Sequence, residues 1–297
     1  MGFCSMSASC DAVKTIALIG GGKMGEAIMA GLIRSQEQPA RTLDATCFEV
    51  ANPGAQRRAY LEETYGVSCV EDGSLISDTP DVVILAVKPQ VLPPVAASLR
   101  ACPVFGGASG ADAAEKKPLF VSIAAGITTQ TLRSLLPEGA RVVRTMPNTP
   151  LLVSAGMTAV VGDGGASASD VELVRALFAC LGDAVVVEET AMDAVCAVSG
   201  SGPAYVAAFV EALRDGGVKQ GLPFDLAQSL ALQTVFGTAQ LLLETKQTPE
   251  AVRKAVCSPG GTTLAALDAM NEAGFSSVID KGVAAATKRS LELGALS

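Results

Sequence analysis

The 297 residues are 49% hydrophobic and 18% charged, a balance that supplies two apolar cores of ordinary size and excludes wholesale disorder. A net charge of −8 without a basic run excludes the electrostatic footprint of a nucleic-acid partner. Histidine is absent, which excludes imidazole triads and removes the commonest metal ligand, so no metal site is expected.

The opening residues 1–11 lack the apolar stretch of a secretory signal, and Met6 stands where an N-myristoylation signal wants Ser or Thr; a frayed extension is expected. From residue 15 to about 161, short β-branched runs alternate with helical patterns as parallel βαβ units do. Strands are expected over 15–19, 46–50, 82–87, 119–123, 141–145 and 158–161, and helices over 24–34, 56–65 and 129–135. Strands this continuously apolar suit a sheet covered on both faces. The fold expected is an open, doubly wound α/β domain of the Rossmann type over 12–163. Its one irregular stretch, 106–117, reads as a surface loop.

A Gly/Ala/Ser/Asp cluster at 162–170 marks a change of character. Beyond it an all-helical domain is expected over 164–297, with a single strand signal at 184–187. Helices are expected over 169–180, from 189 into 197, and over 203–214, 224–243, 249–256, 263–271 and 275–293. Pro203, Pro223 and Pro249 stand near helix starts, where a missing NH is harmless. The segment 226–243 is apolar around most of its circumference and is expected to be buried at a dimer interface. No apolar run approaches the roughly 18 to 20 residues that a bilayer crossing requires, so a soluble chain without a membrane partner is expected. Eight cysteines are scattered without a CxxC pair and read as reduced thiols of a cytoplasmic protein.

Gly20, Gly22 and Gly25 follow the first strand in GxGxxG spacing, with a helical pattern starting at Met24. Gly20 permits a tight turn, Gly22 lets backbone approach a pyrophosphate, and Gly25 lets helix pack closely on strand, so a dinucleotide is expected. An acid at the end of the second strand would favour NAD, and a nearby arginine the 2′-phosphate of NADP. Glu49 lies near that end, Ala51 and Asn52 follow it, and Arg57 and Arg58 stand on the next helix. Both cofactors stay open at this point, and the two arginines read equally as a solvated helix face.

A series of motifs then carries a resemblance: IGGGKMGEAI over 19–28, AVKPQ over 86–90, AAG over 124–126, RTMPNTP over 144–150, SGSGPAY over 199–205, DGGVKQGLP over 215–223 and SPGGTT over 258–263. Their order and spacing resemble the pyrroline-5-carboxylate reductase family from about residue 13 to the C-terminus. The resemblance implies reduction of 1-pyrroline-5-carboxylate to proline with NADPH or NADH. It also implies a homodimer that interlaces its helical domains, forms the active site at the dimer interface, and assembles further into a ring. By the same resemblance Ile19, Gly20, Gly21, Gly22, Lys23, Met24, Gly25, Ala86, Val87, Lys88, Pro89, Ala124, Ala125 and Gly126 line the cofactor, with Asn52 beside its adenosine end. Glu189, Ser258, Gly260, Gly261, Thr262 and Thr263 fall around the substrate. Two positions depart from the family pattern: Gly73 and Ala255 each stand where an amide side chain is common.

The chemistry of these residues fits that reaction. SPGGTT offers hydroxyls from Ser258, Thr262 and Thr263 beside helix NH groups, while Gly260 and Gly261 allow close backbone approach; such a turn suits a carboxylate. The alternative reading is an ordinary helix start with a Thr cap. The ring imine takes its proton from solvent, Thr263 bonds the ring nitrogen, and Glu189 accommodates the positive charge. Glu189 reads alternatively as a solvated first-turn acid. Lys88 is expected to act through its backbone. Two rival functions are a 3-hydroxyacid-type dehydrogenase, which needs a lysine where this chain has none between Lys117 and Lys219, and a non-catalytic NAD(P)-binding sensor.

Overall fold

Eight strands form one sheet in the order β3-β2-β1-β4-β5-β6-β7-β8. They are β1 (Ile16–Ile19), β2 (Phe48–Ala51), β3 (Ser68–Val70), β4 (Val82–Leu85), β5 (Leu119–Ser122), β6 (Arg141–Pro147), β7 (Gly156–Gly164) and β8 (Gly182–Val186). The computed structural model describes residues 13–34, 43–106 and 117–295; the expected N-terminal extension and nearly all of the 106–117 loop lie outside them. Helices alternate with the strands: α1 (Lys23–Arg34), α2 (Ala55–Tyr65), α3 (Leu92–Ala101), α4 (Pro103–Gly106), α5 (Thr129–Leu135), α6 (Ala168–Ala179) and α7 (Met192–Val195).

β1, β4 and β5 are buried along their whole length, and their side chains alternate between two cores. Ile16, Leu18 and Ile84 join Ile28, Met29, Val174 and Leu177 on one face. Ala17, Ile19, Val83 and Leu85 join Leu92, Ala96, Leu99 and Leu132 on the other. Helices α1 and α6 therefore cover one side and α3 and α5 the other, which is the doubly wound plan the apolar strands call for.

Neighbouring strands are parallel except for β6 and β7, which pair antiparallel with Arg144 opposite Val161. Only a short 3₁₀ turn, Thr149–Val153, joins them, and a parallel crossover needs a dozen residues or more. β8 then returns parallel to β7 after α6. This last βαβ unit moves the domain division. The chain separates into Met1–Gly200 with Ala286–Ser297, and Ser201–Ala285, rather than at 163/164. Composition changed at residue 162, but hydrogen bonding to the sheet continues to Val187, whose NH bonds Val160 O at 2.9 Å. Three elements were not anticipated: β3, α3 and the single turn α4. β3 is three half-exposed residues with little apolar pattern, and α3 starts with two prolines that punctuate the sequence yet sit in the first turn.

The second unit holds α8 (Gly202–Lys219), α9 (Phe224–Thr245), α10 (Pro249–Ala255), α11 (Thr262–Glu272) and most of α12 (Phe275–Ala295). The α8–α9 corner is tight. Leu222 NH bonds Gly217 O at 3.1 Å, a Cβ at Gly217 would come within 3.2 Å of Leu222, and Arg214 stacks 4.8 Å over Phe224. Within the single chain, α9 is largely exposed. Ala227 and Ala231 are its buried residues, whereas Phe236 is 61% and Leu243 78% exposed. By length and composition alone, the stretches Glu189–Lys219 and Phe224–Thr245 reach the apolarity of a membrane span. Neither is an unbroken apolar run: Ala, Val, Leu and Phe raise the average while interspersed Gly, Ser and Thr interrupt it.

Candidate functional site

The carboxyl ends of β2, β1, β4 and β5 lie side by side, and β1 is flanked by β2 and β4. Winding reverses at β1, and in open α/β sheets the crevice at such a reversal is where ligands bind. Hydrogen bonding continues past the strand ends: Gly20 NH to Ala51 O at 2.9 Å, Asn52 NH to Val70 O at 2.9 Å, and Ala86 NH to Ile19 O at 2.8 Å. These bonds hold the loops 20–24, 52–54 and 86–89 along one edge.

The glycines at that edge meet different constraints. Gly20 has φ +105°, and a Cβ there would lie 2.7 Å from Ala86 O. A Cβ at Gly25 would lie 2.1 Å from Gly20 O, and one at Gly21 would lie 2.6 Å from Leu61. Gly22 is the exception, since a Cβ would meet nothing within 4 Å. Nothing in the protein asks for glycine at Gly22, whereas a diphosphate drawn against the backbone would. The NH groups that open α1 at Lys23, which have no carbonyl partner within the helix, stand beside it. The edge thus fits a dinucleotide.

Ala86 and Val87 are half-buried and Lys88 is exposed. Lys88 contributes backbone: its carbonyl accepts Val91 NH at 2.9 Å and opens the turn Pro89–Val91. Ala124 is buried, with its NH bonded to Ser122 Oγ at 3.2 Å. Gly126 has φ +78°, and a Cβ there would press within 3.1 Å of Gly294 N and 3.2 Å of Leu293 on the last turn of α12. Ser290 fixes that turn by donating to Asp193 at 2.6 Å.

Beneath the glycine loop is a charged cluster. Arg57 Nε donates to Gly21 O at 2.6 Å, its Nη2 pairs with Glu26, and its guanidinium lies 5.0 Å from the Tyr60 ring centre. Burial raises the Glu26 pKa, but hydrogen bonds from Arg57, Tyr65 and Tyr60 and the Arg57 charge outweigh it, so the carboxyl stays below its ordinary value. Burial and then the hydrogen bond to Glu26 push the Tyr65 phenol up to about 12. Arg58 donates from Nη1 to Asn52 O and Pro53 O, both at 2.8 Å. Glu49 is the second residue of β2, and its carboxylate accepts Ser77 NH at 3.1 Å and Ser77 Oγ at 3.2 Å.

Glu189 is not a solvated first-turn acid. Its Oε1 pairs with Arg144, which is 4% exposed, and its Oε2 accepts Thr129 Oγ1 at 3.0 Å. Thr129 opens α5, just beyond the 124–126 turn, so Glu189 is held at the same edge as the cofactor candidates. Sequence reasoning missed Arg144, Thr129 and Asn148. Asn148 bonds Ser199 O at 3.1 Å and accepts Met157 NH at 2.8 Å. The available signal was a charge inside an apolar strand, since a buried arginine requires a carboxylate partner.

The 258–263 turn belongs to the second unit. Gly261 NH closes it on Ser258 O at 2.9 Å. Gly260 has φ +71°, and a Cβ at Gly261 would lie 2.4 Å from Ser258 Oγ. The helix α11 starts at Thr262 with Gly261 as its cap and no side-chain hydrogen bond to its first turn. A Thr cap is therefore not what occupies these NH groups. Ser258 and Thr262 are exposed and Thr263 half-buried. Ala255 is exposed at the end of α10, while Gly73 is buried, with Leu99 filling the space where a Cβ would come within 2.7 Å.

The sequence profile described as pyrroline-5-carboxylate reductase dimerisation matches residues 189–293, and the one described as NADP oxidoreductase, coenzyme F420-dependent, matches residues 15–104. The chain is 44% identical over 279 residues to the pyrroline-5-carboxylate reductase of Synechocystis, covering 94% of this chain and 98% of that one. It is 36% identical over 281 residues to that of Escherichia coli, with the same shares covered. A solved pyrroline-5-carboxylate reductase from Coxiella burnetii superposes with a TM-score of 0.82 at 32% identity, over 95% of this chain and 98% of that one. The Plasmodium falciparum pyrroline carboxylate reductase with NADP bound superposes at 0.80 with 25% identity, over 96% and 99%.

Proposed function

This chain belongs to the pyrroline-5-carboxylate reductase family, and from that premise we infer that it reduces the C=N bond of 1-pyrroline-5-carboxylate to give L-proline. It is an NAD(P)H-dependent oxidoreductase. The observation that carries the reading is likeness from end to end: 94% of the chain aligns with a reductase of the family, rather than the nucleotide-binding half alone. A reduced nicotinamide, when bound, supplies the hydride; every other task falls to the chain.

The glycine edge seats the diphosphate on backbone NH groups, with Asn52 at the adenosine end and the 86–89 and 124–126 turns beside the nicotinamide. Ser258, Thr262 and Thr263 offer hydroxyls around the uncapped first turn of α11, and that turn grips the substrate carboxylate through its NH groups and helix end-charge. Gly260 and Gly261 keep Cβ atoms out of the approach. The imine arrives protonated from solvent, and Thr263 accepts a hydrogen bond from the ring N–H. Glu189 acts as a positioning residue. Its charge is shared with Arg144 and Thr129, so it fixes the edge more than it neutralises an iminium. Replacing Thr263 by Ala should cut kcat/KM about tenfold or more, the weight of one hydrogen bond to a charged group; an unchanged value ends its assigned role.

The apolar surface of α9 supports a homodimer through the helical unit, with α9 covered by a second copy rather than by lipid, and the absence of disulfides among the six described cysteines suits a reducing cytoplasm. Oxidation of NADPH or NADH followed by absorbance with 1-pyrroline-5-carboxylate tests the reaction. Turnover of 3-hydroxyacids instead, or cofactor binding without turnover of any substrate, would replace it by one of the rivals.

A further inference from the structure

We propose that the last turn of α12 is a positioning element for the cofactor: through Gly294 and Ser290 it sets the 124–126 turn against the nicotinamide half of the dinucleotide. The proposal rests on the reading that places this turn beside the nicotinamide. It goes beyond that reading in giving a role to residues outside the cofactor edge.

The end of the chain returns to the sheet for this contact. α12 begins in the helical unit, but Ala286–Ser297 belongs to the unit that holds the sheet. There Gly294 and Gly126 meet backbone to backbone. A Cβ on Gly294 would lie 2.7 Å from Gly126 O, and one on Gly126 would lie 3.1 Å from Gly294 N and 3.2 Å from Leu293. Gly126 also has φ +78°, a conformation that residues with a Cβ resist. The turn is therefore held both by its own backbone geometry and by a helix pressed onto it, at a separation that a side chain on either residue would open.

One helical turn before Gly294, and so on the same face of α12, Ser290 is 4% exposed and donates its hydroxyl to Asp193 Oδ1 at 2.6 Å. A buried hydroxyl that loses its partner costs more than the bond itself contributes, so this tie resists sliding of the helix. Asp193 lies in α7, one turn beyond Glu189, whose Oε2 accepts Thr129 Oγ1 at 3.0 Å. Thr129 opens α5 just after the 124–126 turn. The contacts close a ring: Gly126 to Gly294, Ser290 to Asp193, Glu189 to Thr129, and along the chain back to Gly126. The turn is thus gripped on one side by the end of the chain and on the other by the Glu189 ties. Hydride transfer punishes misplacement on the scale of an ångström, which is the reason to hold a nicotinamide-side turn from two directions.

Calorimetry on the full-length protein with NADPH and with 2′,5′-ADP separates this role from a merely structural one, and it reads binding without imine reduction. Both ligands carry the adenosine half, and only NADPH carries the nicotinamide. Ser290→Ala should weaken NADPH about three- to tenfold, the weight of one buried hydrogen bond, while 2′,5′-ADP stays within about twofold of the wild type. Gly294→Ala, which drives a Cβ into Gly126 O, should weaken NADPH at least about tenfold and again spare 2′,5′-ADP. Asp193→Asn keeps an oxygen acceptor for Ser290 and should bind NADPH nearly as the wild type does, whereas Asp193→Ala should match Ser290→Ala. NADPH affinity unchanged in both Ser290→Ala and Gly294→Ala, or equal losses for the two ligands, would overturn the proposal and leave the assigned reaction standing. A wild type that bound neither ligand would overturn it together with the dinucleotide reading. The expected pattern of losses in a protein inactive on the imine would support it while removing the reaction assigned above.

Discussion

A methyl group added at Gly25 would lie 2.1 Å from Gly20 O, whereas one added at Gly22 would touch nothing within 4 Å. The two substitutions to alanine should therefore part company. Gly25→Ala forces α1 off β1 and should cost roughly 1–3 kcal/mol of stability together with cofactor binding. Gly22→Ala should melt at the wild-type temperature and still lose NADPH affinity, as calorimetry and a thermal scan would show; a large loss of stability in Gly22→Ala would contradict the open cradle. Arg144 poses the opposite case. It is a nearly fully buried cation whose Nε has no partner among the described residues and whose Nη1 is held by Glu189. Removing the anion leaves that charge uncompensated, so Glu189→Gln should destabilise by about 3–5 kcal/mol, and Arg144→Leu combined with it should recover part of the loss. Urea midpoints for the three variants check this. At this scale the glycine loop was legible because Gly20 and Gly25 answer backbone constraints of the turn itself, and Gly22 completes their spacing. The Glu189 ties were not, because Thr129, Arg144 and Glu189 lie far apart in sequence and converge only when β6 pairs with β5.

At the scale of elements, strands whose every side chain enters a core announced themselves as unbroken apolar runs. β3 and α3 did not: β3 is short and half-exposed, and Pro93 and Pro94 broke the pattern of Leu92, Ala96 and Leu99 that α3 in fact buries. The 158–161 strand was anticipated in place but not in direction, since direction depends on the length of the connection, which side-chain periodicity does not report. For α9 the apolar circumference was read correctly, and the second copy proposed above would bury what the single chain leaves exposed. Phe236→Asp together with Leu243→Asp should leave the subunit folded and convert the dimer to a monomer in light scattering, with activity falling alongside mass. A wild-type protein that already runs as a monomer would sink the pairing.

At the scale of the whole molecule, acid stability follows from carboxylates held below their ordinary pKa. Glu26, ordinarily 4.5, is lowered despite its burial by Arg57, Tyr65 and Tyr60, and Asp72, ordinarily 3.8, is lowered by Ser98 and Ser74. For such groups the stabilisation is complete above the unfolded pKa and is lost as pH falls through the folded one. Denaturant midpoints should therefore hold down to about pH 5 and then decline, and Glu26→Gln should decline less steeply over the same window. A parallel decline in both proteins would remove Glu26 from the account. The same integration appears at the far end of the chain, where the last turn of α12 rests on the 124–126 turn through Gly294 and Gly126 with no room for a side chain on either. A turn in the first half of the chain is thus backed by the last helix, so a change as small as one methyl group on Gly294 would be felt at residues far away in sequence.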